Sequence, residues 1–190
     1  TGGGGGGGGH GVSGGNLSLI NAGTISAGLG GNAGGGGGRA GSAGAAVQLT
    51  SGTNSLTLQT GSAINGVIWL MDNTSATITA ENAGISLDGV WLNNGSVLTV
   101  ATPEHLSIGA ITGAGSLSKT GSATLTFSGN SNYTGNTSIE AGSLQAGKSG
   151  ALSSNSAVTV NSCATLDLNS FNQSIGALAG AGTVSLGSAT

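Results

Sequence analysis

One stretch of this chain is spelled nearly twice. GAITGAGSLSKTGSAT at 109–124 returns as GALAGAGTVSLGSAT at 176–190. Gly109 matches Gly176, Gly113 matches Gly180 and Gly115 matches Gly182, and Ala123-Thr124 match Ala189-Thr190 after a one-residue gap. A weaker pair lies upstream, LSLINAGTISAG at 17–28 against LTLQTGSAING at 56–66. Self-similarity of this kind points to units that stack on copies of themselves. The expectation is an array cut inside its second copy.

Within the units, apolar residues alternate with small polar ones: Leu17/Leu19, Leu56/Leu58, Ile78/Ala80, Leu98/Val100, Leu125/Phe127, Val158/Val160, Leu166/Leu168 and Val184/Leu186. A period of two marks strands with one buried face. The runs are short and end in Gly, Asn, Ser and Thr, residues that open turns. No long window carries a 3.6-residue period, and the strong helix formers Glu, Lys, Arg and Met are scarce. No helix is expected.

Short strands build sandwiches, antiparallel barrels or solenoids. A sandwich core needs large inward groups, yet aromatic residues are only 3% of the chain. Resemblance between neighbouring units and recurring turn glycines favour the solenoid. The prediction is an all-β, right-handed parallel β-helix wound from a single chain, its hand following the rule for parallel crossovers. With rungs about 4.8 Å apart and about 20 residues per turn, the chain makes about eight to nine rungs. Residues 1–110 are assigned to glycine-rich rungs with loops, and 111–190 to a second group of rungs. The glycine runs at 2–9 and 34–38 are expected to be loops or flexible turns extruded from the rod.

Composition excludes several functions. Charged residues are 5% of the 190, against about 25% in an ordinary domain. The net charge is −3, and Arg39, Lys119 and Lys148 cannot form the basic stripe that nucleic acid or an anionic membrane requires. No apolar run is long enough for a membrane-spanning helix. The start of the chain lacks the basic and apolar segments of a signal peptide, so an export signal would lie outside this sequence. Cys163 has no partner in the chain and no basic neighbour to activate it.

Catalytic patterns fare no better. Asp72, Glu81, Asp88, Glu104, Glu140 and Asp167 are scattered singly, and only stacking of rungs could bring Asp72 and Asp88 together. His10 and His105 lie outside any metal-ligand spacing. Gly28-Leu29-Gly30-Gly31-Asn32-Ala33 matches a dinucleotide spelling, but no helix follows it. Gly-Val-Ser-Gly at 11–14 falls one residue short of a nucleophile elbow. No cofactor, metal or catalytic residue is expected. Trp69 and Trp91, both beside leucine, are read as core or cap residues; exposed, they could stack on sugar rings.

Residues 115–147, GSLSKTGSATLTFSGNSNYTGNTSIEAGSLQAG, resemble the passenger-associated transport repeat of bacterial autotransporters. Gly115, Leu117, Lys119, Gly121, Thr124, Leu125, Ser128, Gly129, Tyr133, Thr134, Gly135, Thr137, Ile139, Gly142 and Leu144 fall in step with that pattern. Ala123, Phe127 and Ser131 depart from it. The resemblance extends to 111–190, with the second copy truncated. Leu117, Leu125, Phe127, Ile139 and Leu144 would point inward, and Gly121, Gly129 and Gly135 would allow turns. Tyr133 would lay its ring across a turn with its hydroxyl in water.

What the resemblance implies is a β-helix exported through an outer-membrane translocator barrel of the same polypeptide, then displayed on the cell or released. Folding outside the cell would assist its own export. Expected partners are that barrel, a host surface or sister molecules, and no nucleic acid. Three functions compete: a stalk or adhesin segment, a carrier for an enzymatic domain upstream, and an ice-binding face suggested by Thr57, Thr77 and Thr79.

Overall fold

The computed structural model describes residues 5–34 and 39–188. Each period-two run becomes a strand, and among the described residues the strands fall into two sheets with parallel pairing throughout. Numbered in chain order, the 11-stranded sheet holds β1 (Val12–Gly14), β3 (Thr24–Ser26), β4 (Val47–Leu49), β6 (Ala63–Asn65), β7 (Ile68–Leu70) and β9 (Ile85–Leu92). It continues with β11 (Leu106–Gly113), β13 (Thr124–Phe127), β15 (Gly142–Ala146), β17 (Ala164–Asp167) and β19 (Thr183–Ser185). The 8-stranded sheet holds β2 (Ser18–Asn21), β5 (Thr53–Leu58), β8 (Ser75–Ala80) and β10 (Val97–Ala101). Above them lie β12 (Ser116–Thr120), β14 (Thr137–Ile139), β16 (Ala157–Val160) and β18 (Ala177–Gly180).

The fold is a parallel β-solenoid. Its eight-stranded sheet makes eight levels, joined by seven turns of the coil, and the sandwich alternative is excluded.

Inward side chains stack into columns because the register holds from rung to rung. One column of the larger sheet runs Ile85, Leu106, Leu125, Leu144, Leu166, Val184. Another runs Ile64, Leu87, Ile108, Phe127, Ala146. Each fully buried Leu, Ile or Phe contributes about 1.5–3 kcal/mol. That term is realised only when a rung has a neighbour on both sides. Middle rungs are sealed accordingly, while Leu178 and Leu186 in the last rung remain half exposed.

The doubled sequence recurs as a corner and not as a rung. Gly113 ends β11 and turns the chain from the 11-stranded to the 8-stranded sheet; Gly180 ends β18 and turns it the other way. Both adopt positive φ, +106° and +113°. In consequence Leu117 pairs with Leu98 in the smaller sheet, whereas its counterpart Val184 pairs with Leu166 in the larger. Ala189-Thr190, which close the second copy, lie outside the described residues. The weaker upstream repeat slips as well: Ile25 lies over Ile64 as aligned, but Leu19 lies over Leu56 instead of Leu58. A slip of two residues keeps the same face inward.

The glycine zone gives the largest correction. Residues 27–34 and 39–46 lie where elsewhere a short corner joins strands such as β6 and β7, and they form a bundle with 5–11. The amides of Gly5, Gly8 and Gly11 donate to the carbonyls of Arg39, Ser42 and Ala45. Those of Gly28 and Gly31 donate to Gly9 and Gly6, and those of Gly41 and Gly44 to Gly31 and Gly28. Every bond recurs after three residues, the period of the extended polyproline-II helix. The first and third segments run parallel and the middle one antiparallel to both.

Glycine is required there by proximity. A Cβ on Gly8, Gly28, Gly41 or Gly44 would overlap the backbone of the adjoining segment, whereas Gly6 and Gly9 face open space. The expected loop at 5–9 is therefore a hydrogen-bonded bundle. Residues 2–4 and 35–38 of the two glycine runs lie outside the described residues.

Candidate functional site

Of the repeat residues, Leu117, Leu125, Phe127, Ile139 and Leu144 are all buried and stacked in columns. Two polar members of the repeat are buried with them. In the 8-stranded sheet a single column reads Leu56, Ile78, Val100, Lys119, Ile139, Val160. Lys119 thus lies between Val100 below and Ile139 above, with its side chain sealed from solvent.

Its amine emerges at the corner after β12 and donates to three backbone carbonyls: Thr120 at 2.9 Å, Gly121 at 2.8 Å and Ala141 at 3.0 Å. Gly121 (φ +80°) and Gly142 (φ +68°) make the turns of two successive rungs there. A Cβ on Gly142 would meet the carbonyl oxygens of Gly121 and Ala123 at 2.5 and 2.6 Å. Thr102, one rung earlier and buried, donates its hydroxyl toward the carbonyls of Thr120 and Ala123, each at 3.2 Å. Three consecutive rungs are thereby tied at one corner. Burial lowers the Lys119 amine from 10.5 to about 8.

Tyr133 corrects a second expectation. It is buried and not wet. The bond from the Thr134 amide to the Gly113 carbonyl, 2.9 Å, ties this segment to the corner one rung below. Its hydroxyl lies 2.5 Å from Thr137 Oγ1, which lies 2.8 Å from Ser156 Oγ, which donates to the Gly135 carbonyl at 2.7 Å.

The direction of this chain follows from its end. A carbonyl only accepts, so Ser156 spends its one proton on Gly135; Thr137 must then donate to Ser156, and Tyr133 to Thr137. Burial raises the Tyr133 phenol above its ordinary 10.0. Ser153 donates to the Tyr133 carbonyl at 2.6 Å. Thr137 stands between Leu117 and Val158 in its inward column.

Gly129 and Gly135 have ordinary φ and are needed for close approach: a Cβ on Gly129 would meet Ala110 N at 2.6 Å, and one on Gly135 would overlap the Gly115 carbonyl. The repeat pattern does not contain Thr102, Ser153 or Ser156. Their signal is a hydroxyl at a corner where the inward period calls for an apolar group.

The tryptophans are not core. Trp69 and Trp91 are register partners on the outer face of β7 and β9, and Trp91 is 47% exposed. Their rings stack with centroids 5.0 Å apart and planes 14° from parallel. Trp69 Nε1 donates to Asn93 Oδ1 at 3.0 Å, and His10 meets the Trp69 ring edge-on at 6.4 Å.

Elsewhere the chemistry is sparse. Asp88 accepts the amide of Gly66, before β7, while Asp72 follows the end of that strand, so stacking does not join them. Cys163 is exposed, one residue before β17. Among the described residues no group of His, Cys, Asp or Glu is arranged to hold a metal, and none of the surface forms an enclosed pocket.

Residues 117–146 match the family model described as the passenger-associated-transport-repeat. No curated protein and no solved structure matches the chain. The matched segment begins at Leu117 and ends at Ala146, and so contains Lys119 with its three carbonyl acceptors and the Tyr133–Thr137 pair, while Thr102 and Ser156 lie outside it. The repeat and the β-solenoid together fit the passenger domain of an autotransporter.

Proposed function

We propose that this passenger-type segment is a non-catalytic stalk or adhesin module, exported through a translocator barrel of the same polypeptide and displayed on the cell surface or released. The observation that carries the reading is the unbroken parallel register. Each rung draws its backbone partners from the rung before and the rung after, so order propagates along the axis from whichever end has folded. A chain folding in this way outside the membrane resists sliding back. The Lys119 corner and the Tyr133 chain support that role, since each joins residues of successive rungs, the first wholly within the matched repeat and the second reaching from it to Ser156.

The test compares cells displaying the intact protein with cells lacking it, in adhesion to host cells and in autoaggregation. Gain in either supports the reading; no gain in both removes it.

A second reading has its own observation. Outward positions of the 8-stranded sheet form one row of hydroxyls, Ser18, Ser55, Thr77, Thr99, Ser118, Ser138 and Thr159. Beside it, Thr57 and Thr79 add part of a second row. Spacings of about 4.8 Å between rungs and about 6.6 Å along a strand make a flat lattice of hydroxyls suited to ordered water. Thermal hysteresis of the purified protein decides for or against ice binding.

A further inference from the structure

Trp69 and Trp91 are the only two tryptophans in the chain, and they stand together on the outer face of the 11-stranded sheet. We propose that this pair is a carbohydrate-binding shelf for neutral, β-linked hexopyranose chains. The inference rests on the display reading above and gives it a ligand class.

Three observations carry it. The shelf is built before any ligand arrives: ring stacking, the Asn93 hydrogen bond and the edge of His10 hold the indoles in place. A rigid aromatic loses little conformational freedom on binding. Next, Trp91 keeps nearly half of its surface in water, in a chain with 3% aromatic residues. An indole presents a broad apolar face with a negative quadrupole, which suits the C–H face of a pyranose with equatorial hydroxyls.

Then the row around it is neutral and hydrogen-bonding. Gln48 is the register partner of Trp69 on one side, and Thr112 that of Trp91 on the other. Asn93 follows one residue past the end of β9 and accepts from the Trp69 indole. No lysine or arginine belongs to this row, Lys119 being sealed inside, so anionic glycans have no cation to meet. Hydroxyls around an apolar ring match amides and hydroxyls around an indole.

Because both tryptophans lie in the shelf, intrinsic fluorescence reports on it directly. The experiment titrates the purified protein with cellohexaose, laminarihexaose and chitohexaose, and with a heparin oligosaccharide as the anionic contrast. Calorimetry on the same samples gives a readout independent of the fluorophore. A saturable signal with at least one neutral oligosaccharide is expected, at least ten-fold weaker in Trp91→Ala and within about three-fold of wild type in Trp91→Phe.

Far-UV circular dichroism checks that each variant keeps its sheet. Thr112→Glu, which places a charge beside the ring without removing it, is expected to weaken binding as well. No saturable response to any of the three, a preference for the heparin fragment, or unchanged binding in Trp91→Ala overturns the proposal. Adhesion that persists on cells carrying Trp91→Ala removes the shelf but leaves the display reading intact. Sugar binding by the protein with neither adhesion nor autoaggregation of cells removes the display reading alone.

Discussion

Lys119 and Ile139 are consecutive members of one inward column, so a lysine stem packs beneath an isoleucine where its neighbours are aliphatic. The stem fills the column and the amine reaches past it to the corner, which is how a long basic side chain serves an apolar stack. Three carbonyls that turn away from the strands find their donor there.

Replacing Lys119 with Met keeps the stem and removes the donor. A carbonyl left without a partner costs about 1–3 kcal/mol; Thr120 retains Thr102 but Gly121 and Ala141 both lose the amine, so a loss of about 2–6 kcal/mol is expected. Urea unfolding measures it.

The same residue makes stability depend on pH. The folded amine titrates near 8, whereas in the unfolded chain it keeps its ordinary 10.5. Between these values the unfolded chain holds a proton that the folded chain has released, so stability rises with pH from about 8 to about 10. Tyr133 acts in the opposite sense. Its phenol is raised by burial, so above pH 10 the unfolded chain ionises first and stability falls. Urea midpoints from pH 7 to 11 should rise and then fall; Lys119→Met removes the rise, and Tyr133→Phe softens the fall.

The hydroxyl chain predicts an inequality between two conservative substitutions. Tyr133→Phe removes the first donor and leaves Thr137 still donating to Ser156, at a cost of about 1 kcal/mol. Thr137→Val suits its aliphatic neighbours Leu117 and Val158, yet leaves the buried phenol without an acceptor and costs about 1–3 kcal/mol. Thr137→Val should be the more destabilising of the two, contrary to what packing alone requires.

Two glycines with nearly equal φ separate backbone strain from close approach. A Cβ on Gly84 (φ +83°) would have nothing within 4 Å, whereas one on Gly121 (φ +80°) would meet the backbone of Thr102 at 2.7 Å. Gly84→Ala should cost about 1–2 kcal/mol, the left-handed penalty alone. Gly121→Ala should cost clearly more, and thermal unfolding of the pair tests it.

Sequence periodicity carries most of the fold, because an inward residue at every second position is a direct record of a half-buried strand. The rung register is less legible. The doubled stretch at 109–124 and 176–190 reports a corner geometry shared by Gly113 and Gly180, and a corner can occur at either junction between the sheets. Tyr133 escapes a sequence reading because its buried hydroxyl is satisfied through Thr137 by Ser156 on the next rung, a relation that no local pattern encodes. Trp69 and Trp91 escape it because alternation places a tryptophan on a strand without saying which of the two faces is inside. Residues 5–11, 28–31 and 39–45 look featureless, yet a three-residue hydrogen-bond period emerges once these three segments lie together.

The in-register stack is tested most directly by distances between spin labels on the outward hydroxyl row. With Cys163 changed to Ser, labels are placed at Thr159 and in turn at Thr77, Ser55 and Ser18. The register separates these pairs by four, five and six strands, so the distances should be about 19, 24 and 29 Å, growing by about 4.8 Å per strand. Distances that fail to lengthen in that order would contradict a coil whose turns lie one upon the next in the same direction.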